Sequence, residues 1–258
     1  MDNRIVIEPT SKIREIARNS LTGYWKEMLV GMLIYFLLTE AAPTVINYFF
    51  TYEYQREFLD GMMMEYQLPY GLGLYTLVLS GPLMIGLYYF ILAFFRRREV
   101  VYGNIFEGFE VFGKSLVLYL LYTVKIFLWS LLLFIPGIIA SYSYSQAFIL
   151  RIDHPDWSAG QCLRESRRIM NGNKATLFCL QLSFIGWMLL SALPVMVGEL
   201  FTSVLGMEGL AYHLVILLFT VPSVAVSLYF YVAEVAFYEL LTGNLVVADE
   251  PDQSYDYM

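Results

Sequence analysis

The chain alternates long apolar runs with short polar, mostly basic segments, and most of the runs are long enough to cross a membrane. Residues 28–50 are apolar apart from Glu40, and their length exceeds the roughly 20 helical residues that span a hydrocarbon core. Pro43 predicts a bend in that first span. Residues 71–95 carry no charge and stop at Arg96-Arg97-Arg98, the kind of basic flank that anchors a helix on the cytoplasmic side. Residues 115–135 follow, apolar except for Lys125 and a few hydroxyls, and Pro136-Gly137 breaks the pattern before residues 137–152 resume it. Residues 175–200, interrupted by Pro194, and 210–241, with Pro222 inside, complete the set.

Pro136-Gly137 is read as the turn of a helical hairpin rather than as a kink in one long helix. A single bent helix would put the basic segments 96–114 and 151–174 on opposite faces of the membrane, against the preference for basic loops on one side. The return limb is short for a span. Its Ser141, Ser143, Ser145 and Gln146 suit the inside of a bundle, where side chains hydrogen-bond across helices. The expected fold is an all-α, polytopic membrane helical bundle of six spans in one domain, residues 1–241, followed by a short acidic tail, 242–258.

Polar segments repeat before each hairpin: Ser11 to Lys26 with Gly23, Tyr102 to Lys114 with Gly113, and Ser158 to Lys174 with Gly172. Three units of amphipathic helix plus transmembrane hairpin are the expected organisation. In the third, Ala159, Cys162, Leu163, Ser166 and Met170 share one face while Arg164, Arg167 and Arg168 lie on another, and Ser158 and Gln161 have the spacing of a capping box. In the first, Ile13, Ile16, Ala17 and Leu21 are the apolar part and Arg14, Glu15 and Arg18 the polar part. These helices are expected in the inner membrane interface, with Arg14, Arg18, Arg164, Arg167 and Arg168 on anionic headgroups. For the middle unit a solvated linker is an equal alternative, since Glu107 and Glu110 make it acidic.

Composition supports a membrane setting: 58% of the 258 residues are hydrophobic, 17% aromatic and 15% charged, more apolar surface than a soluble core of this size needs. Net charge is −7, but orientation follows Lys and Arg. Five basic residues precede the first span, four lie at 96–114 and five at 151–174, leaving Arg56 on the other side and Lys125 within the membrane. Both termini are therefore expected in the cytoplasm, in a cell membrane, and no cleavable signal peptide is read at the start. The segment 51–70 reads as an outer loop. Cys162 and Cys179 are expected to be small buried hydrophobes rather than a disulfide.

Several of these segments look familiar. Gly23-Tyr24-Trp25-Lys26, Ile105-Phe106-Glu107-Gly108-Phe109, Leu128-Trp129, Ile135 to Ile139, and the block from Glu165-Ser166 through Gly172-Asn173-Lys174 to Gly186-Trp187 resemble a bacterial family of uncharacterised multi-pass membrane proteins, numbered 975 among the domains of unknown function. The resemblance covers about residues 11–241. It implies a cytoplasmic membrane setting, no assigned activity and no catalytic residues to carry over, with a fold-level similarity to the membrane domain of some glycerophosphodiester phosphodiesterases.

No phosphate-cradling glycine loop, paired metal motif or serine-nucleophile elbow is present. Catalytic residues, cofactors, metals and nucleic acid are accordingly not expected. His154 reads as part of a turn before a helix cap, and the model of six spans separates it from His213. Met62-Met63-Met64 reads as an interfacial patch rather than a copper(I) site. Ionisable residues inside the membrane are the physically unusual ones: Glu40, Lys125 and Glu234, with Glu199 and Glu239 nearer the boundaries. Matching depths predict a Glu40–Lys125 pair. The first functional reading is a non-enzymatic scaffold or accessory subunit acting through a membrane protein partner or lipids. The runner-up is a small transporter or channel using the buried charges and interrupted helices, and a lipid-processing enzyme is third.

Overall fold

The computed structural model describes residues 4–43, 46, 51–57, 63–207 and 209–246. Helix α1 (Thr10–Leu21) ends where Gly23 takes φ +86°, a conformation that favours glycine. The turn swings the chain by 100° into α2 (Trp25–Phe36) and a π-helical turn (Leu37–Ala41). Strands β1 (Thr51–Glu57) and β2 (Met63–Pro69) pair antiparallel, Tyr54 opposite Tyr66. The segment read as a loop is thus largely a two-stranded ribbon, in keeping with the strand propensity of its tyrosines. The end of the first span at 47–50, Met62, Asp60 and the acidic tail beyond 246 lie outside the described residues.

Helix α3 (Tyr70–Arg97) follows, then a 3₁₀ turn (Tyr102–Phe106) and the short α4 (Glu107–Glu110). Helices α5 (Phe112–Leu132) and α6 (Phe134–Tyr144) pack against each other as a hairpin. The reversal is made by Leu133, which is extended at φ −165° and ψ 154°. Pro136 and Gly137 lie in the first turn of the returning helix, where proline costs no hydrogen bond. A Cβ on Gly137 would sit 2.1 Å from the Ser130 hydroxyl, so the glycine sets how closely the limbs approach.

The return limb itself is broken. Helix α6 stops at Tyr144, and α7 (Ala147–Asp153) restarts after Ser145-Gln146. Ser166 of α8 (Ala159–Ile169) repairs the gap: its hydroxyl accepts from Gln146 N at 3.2 Å and donates to the Ser143 carbonyl at 3.0 Å. Ser158 and Gln161 form the expected capping box at the start of α8. Gly172, at φ +90°, ends that unit as Gly23 ends the first, whereas Gly113 lies inside α5.

Helices α9 (Lys174–Leu182) and α10 (Ile185–Val204) come next, followed by α11 (Gly209–Thr242). Neither Pro194 nor Pro222 interrupts its helix. Near Pro194, the Ser223 hydroxyl donates to the Ser191 carbonyl at 2.8 Å, the neighbour-helix bond that lets proline persist in a bundle.

The fold is all-α apart from the ribbon. Among the described residues, four helices are long and apolar enough to cross a membrane (Leu72–Arg97, Phe112–Leu132, Lys174–Val204 and Ala211–Thr242), or five if the bent α1–α2 pair counts as one. Helix α11 is central, with Val232, Ala233, Val235, Ala236, Phe237 and Tyr238 all fully buried. It packs on α1, α2, α3, α9 and α10. Outward, α5 presents Phe127 and Leu131 and α10 presents Leu189, Met196 and Leu200, apolar surface that suits lipid.

Candidate functional site

Glu234 is one of two enclosed carboxylates on α11. It sits in the stretch of α11 with no outward side and is itself 8% exposed. Its Oε2 accepts from the Tyr88 hydroxyl of α3 at 2.9 Å and its Oε1 from Gln181 Nε2 of α9 at 2.8 Å. Gln181 Oε1 in turn accepts from the Tyr142 hydroxyl of α6 at 2.6 Å. A buried acid without donors would cost several kcal/mol. Here both oxygens are satisfied, and one polar chain joins four helices.

Five positions along α11, about 7.5 Å by helical rise, lies Glu239, 3% exposed. Arg96 at the end of α3 reaches it through Nε at 3.0 Å and Nη2 at 2.7 Å. The same guanidinium grips Asp153 of α7 at 2.6 and 2.9 Å, and the Tyr238 hydroxyl donates to Asp153 Oδ2 at 2.7 Å. An open cleft of about 600 Å³ exposes this cluster, with Phe95, Asn244 and Leu245 on its walls. His154 also lines it, stacked on Trp157 at 3.8 Å. Sequence reasoning placed Glu239 only near a boundary. Its partner could not be read because Arg96 lies 143 positions away in a triplet that looked like a simple anchor.

The basic helices differ from expectation. The apolar face of α1 (Ile13, Ala17, Leu21) and that of α8 (Cys162, Leu163, Ile169) are buried in the protein, each at 2% exposure or less. They dock on α9 and α11 and on α5, α6 and α7 respectively, so neither face is free to enter lipid. Arg18, Arg164, Arg167 and Arg168 are exposed. Arg14 is half-buried and donates to the Ser183 carbonyl at 3.3 Å. Arg168 binds Glu165 and holds that carboxyl below its ordinary range. Arg151, counted in sequence as a flanking charge, is buried and donates to the carbonyls of Pro155 and Trp157, each at 2.7 Å.

Asn173 ties the beginning of the chain to this end. Its Oδ1 accepts from Val6 N, and its Nδ2 donates to the carbonyls of Arg4 and Ile169, all at 2.8 Å.

Lys125 carries its ammonium 5.5 Å from the centre of the Tyr144 ring. Glu40 lies in the π-helical turn, where the Tyr75 hydroxyl donates to the Leu38 carbonyl. Both cysteines are free; Cys162 is buried, but Cys179 is exposed on the outer surface of α9. Among the described residues, no three His, Cys, Asp or Glu side chains converge as a metal would require.

A family model described as a protein of unknown function, DUF975, matches residues 7–136 and 130–245. No curated protein and no solved structure matches the chain.

Proposed function

The chain belongs to the DUF975 family of unknown function, and from the placement of its charges we propose that it is a non-enzymatic accessory or scaffold protein of the cytoplasmic membrane. Both termini lie on the cytoplasmic side in this reading, and six crossings arise from three repeated units. One observation supports it most: α8 is clamped onto the bundle by its apolar face while Arg164 and Arg167 stay exposed. Such a platform is rigid and cationic, suited to an acidic partner protein or to anionic headgroups. The buried carboxylates Glu234 and Glu239 meanwhile join α11 to neighbouring helices. Affinity purification in mild detergent should recover a stoichiometric partner that Arg164→Glu/Arg167→Glu releases. Recovery of the protein alone, in several detergents, would reject the reading.

Glu234 favours a second reading, a small transporter. Intramembrane carboxylates commonly mark ion or substrate paths, and this one lies below an open polar cleft. Proteoliposomes containing only this protein would then show flux that Glu234→Gln abolishes. The scaffold reading expects none.

A further inference from the structure

A groove of about 210 Å³ runs beside the α5–α6 hairpin. Its walls near the turn are apolar, formed by Trp129, Pro136, Ile139 and Ala140, and Ser143 and Tyr144 continue it along α6. From Pro136 to Tyr144 is eight residues, roughly 12 Å of helix. Its other end is closed by Arg167 and Lys174, which come from α8 and from the start of α9. The cavity is thus greasy at the hairpin turn and cationic at the end where the basic segments gather.

Among the described residues, no carboxylate pairs with either cation. Among the ion pairs of the described residues Arg168 takes Glu165, Arg96 takes Asp153 and Glu239, and Lys12 takes Glu15; neither Arg167 nor Lys174 joins one. Lys125, over the face of Tyr144, adds a third positive charge beside the groove. Ile138, Leu131 and Phe134 of the same hairpin are also exposed, so the groove belongs to a part of the protein suited to meet hydrocarbon.

We infer that this groove is a binding site for one anionic glycerophospholipid, with an acyl chain along Trp129, Pro136 and Ile139 and the headgroup phosphate between Arg167 and Lys174. A free inorganic anion would use the cations but leave the apolar wall in water. A zwitterionic lipid would bring its own cation against two others. Only a lipid with net negative charge matches both ends. The aromatic faces of Trp129 and Tyr144 add stiff, low-entropy contact for the chain. The inference rests on the membrane placement proposed above and gives its lipid arm an address.

The test is lipid retention by the full-length protein in mild detergent, titrated with phosphatidylglycerol or phosphatidylcholine and read by native mass spectrometry and thermal shift. Phosphatidylglycerol should be retained preferentially as a single molecule. Arg167→Gln/Lys174→Gln should weaken it about tenfold or more, while Lys26→Gln/Arg97→Gln, on outward faces that do not line the groove, changes it less than about threefold. Ile139→Trp, which fills the groove and leaves every cation in place, should also reduce it. Equal retention of the two lipids overturns the inference, as does an unchanged preference in Arg167→Gln/Lys174→Gln or an equal loss in the outward-face variant. Inorganic phosphate that competes as well as the lipid would assign the site to a free anion instead. Micelle binding is blind to orientation and partners, so failure here leaves the scaffold reading standing, and failure to capture a partner leaves this site standing.

Discussion

Arg96 and Glu239 meet at 2.7 Å although the carboxylate is nearly sealed from solvent and a third of the guanidinium side chain is not. Removing the cation would strand Glu239 beside Asp153. Arg96→Met is expected to destabilise by about 2–4 kcal/mol, below the upper range for breaking a fully buried pair because water still reaches Arg96. Arg96→Met/Glu239→Leu should cost less than Arg96→Met alone. Unfolding midpoints in a detergent–denaturant series decide this, and simple additivity of the single changes would show that the two groups act independently.

Ser166→Ala removes one hydroxyl yet orphans two backbone groups at the α6–α7 break, the Gln146 amide and the Ser143 carbonyl. The expected loss is about 1–3 kcal/mol. Ser141→Ala, whose hydroxyl bonds only within its own helix, should stay within about 0.5 kcal/mol. Similar effects from the two variants would remove Ser166 from the account of the break.

Gly86 and Gly108 make α3 and the 102–110 segment touch backbone to backbone. A Cβ on Gly86 would lie 1.8 Å from the Ile105 carbonyl oxygen, and one on Gly108 1.9 Å from that of Pro82. Neither contact can relax by turning a side chain. Gly86→Ala and Gly108→Ala are each expected to cost about 1–3 kcal/mol or more through overpacking, whereas Gly186→Ala, which meets nothing, should be neutral. Expression level and thermal shift of the three variants provide the comparison.

Orientation is open to direct measurement. Reporters fused after Arg98, Asn171 and Met258 are expected to read as cytoplasmic, and one inserted near Asp60 as external, because fourteen of the sixteen basic residues gather on one side in the six-crossing arrangement. An external signal at Asn171, or a cytoplasmic one at Asp60, would reject it.

What the sequence disclosed depended on how local the controlling interactions are. The capping box at Ser158–Gln161 and the hairpin beside Pro136-Gly137 are short-range features and were legible. Glu234 was legible as an anomaly, a carboxyl in a run that lipid would reject, but its donors Tyr88 and Gln181 come from 146 and 53 positions away. The apolar stripes of α1 and α8 were also visible in the sequence. What they face was not, since an apolar stripe looks the same whether it meets lipid or another helix. Pro194 and Pro222 were poor guides for a similar reason, since a neighbouring hydroxyl can repair what a proline removes.

Asn173 has a consequence for how the molecule is made. The amide of Val6 and the carbonyl of Arg4 wait for a side chain 167 and 169 residues downstream, and α1 itself rests on α9 and on α11, the last helix. At roughly 5–20 residues per second of synthesis, the first segment stays undocked for about ten seconds or more. Its apolar stripe, Ile13, Ala17 and Leu21, thus has no partner surface to close on until α9 and α11 exist, which makes docking of the first helix a late step in assembly.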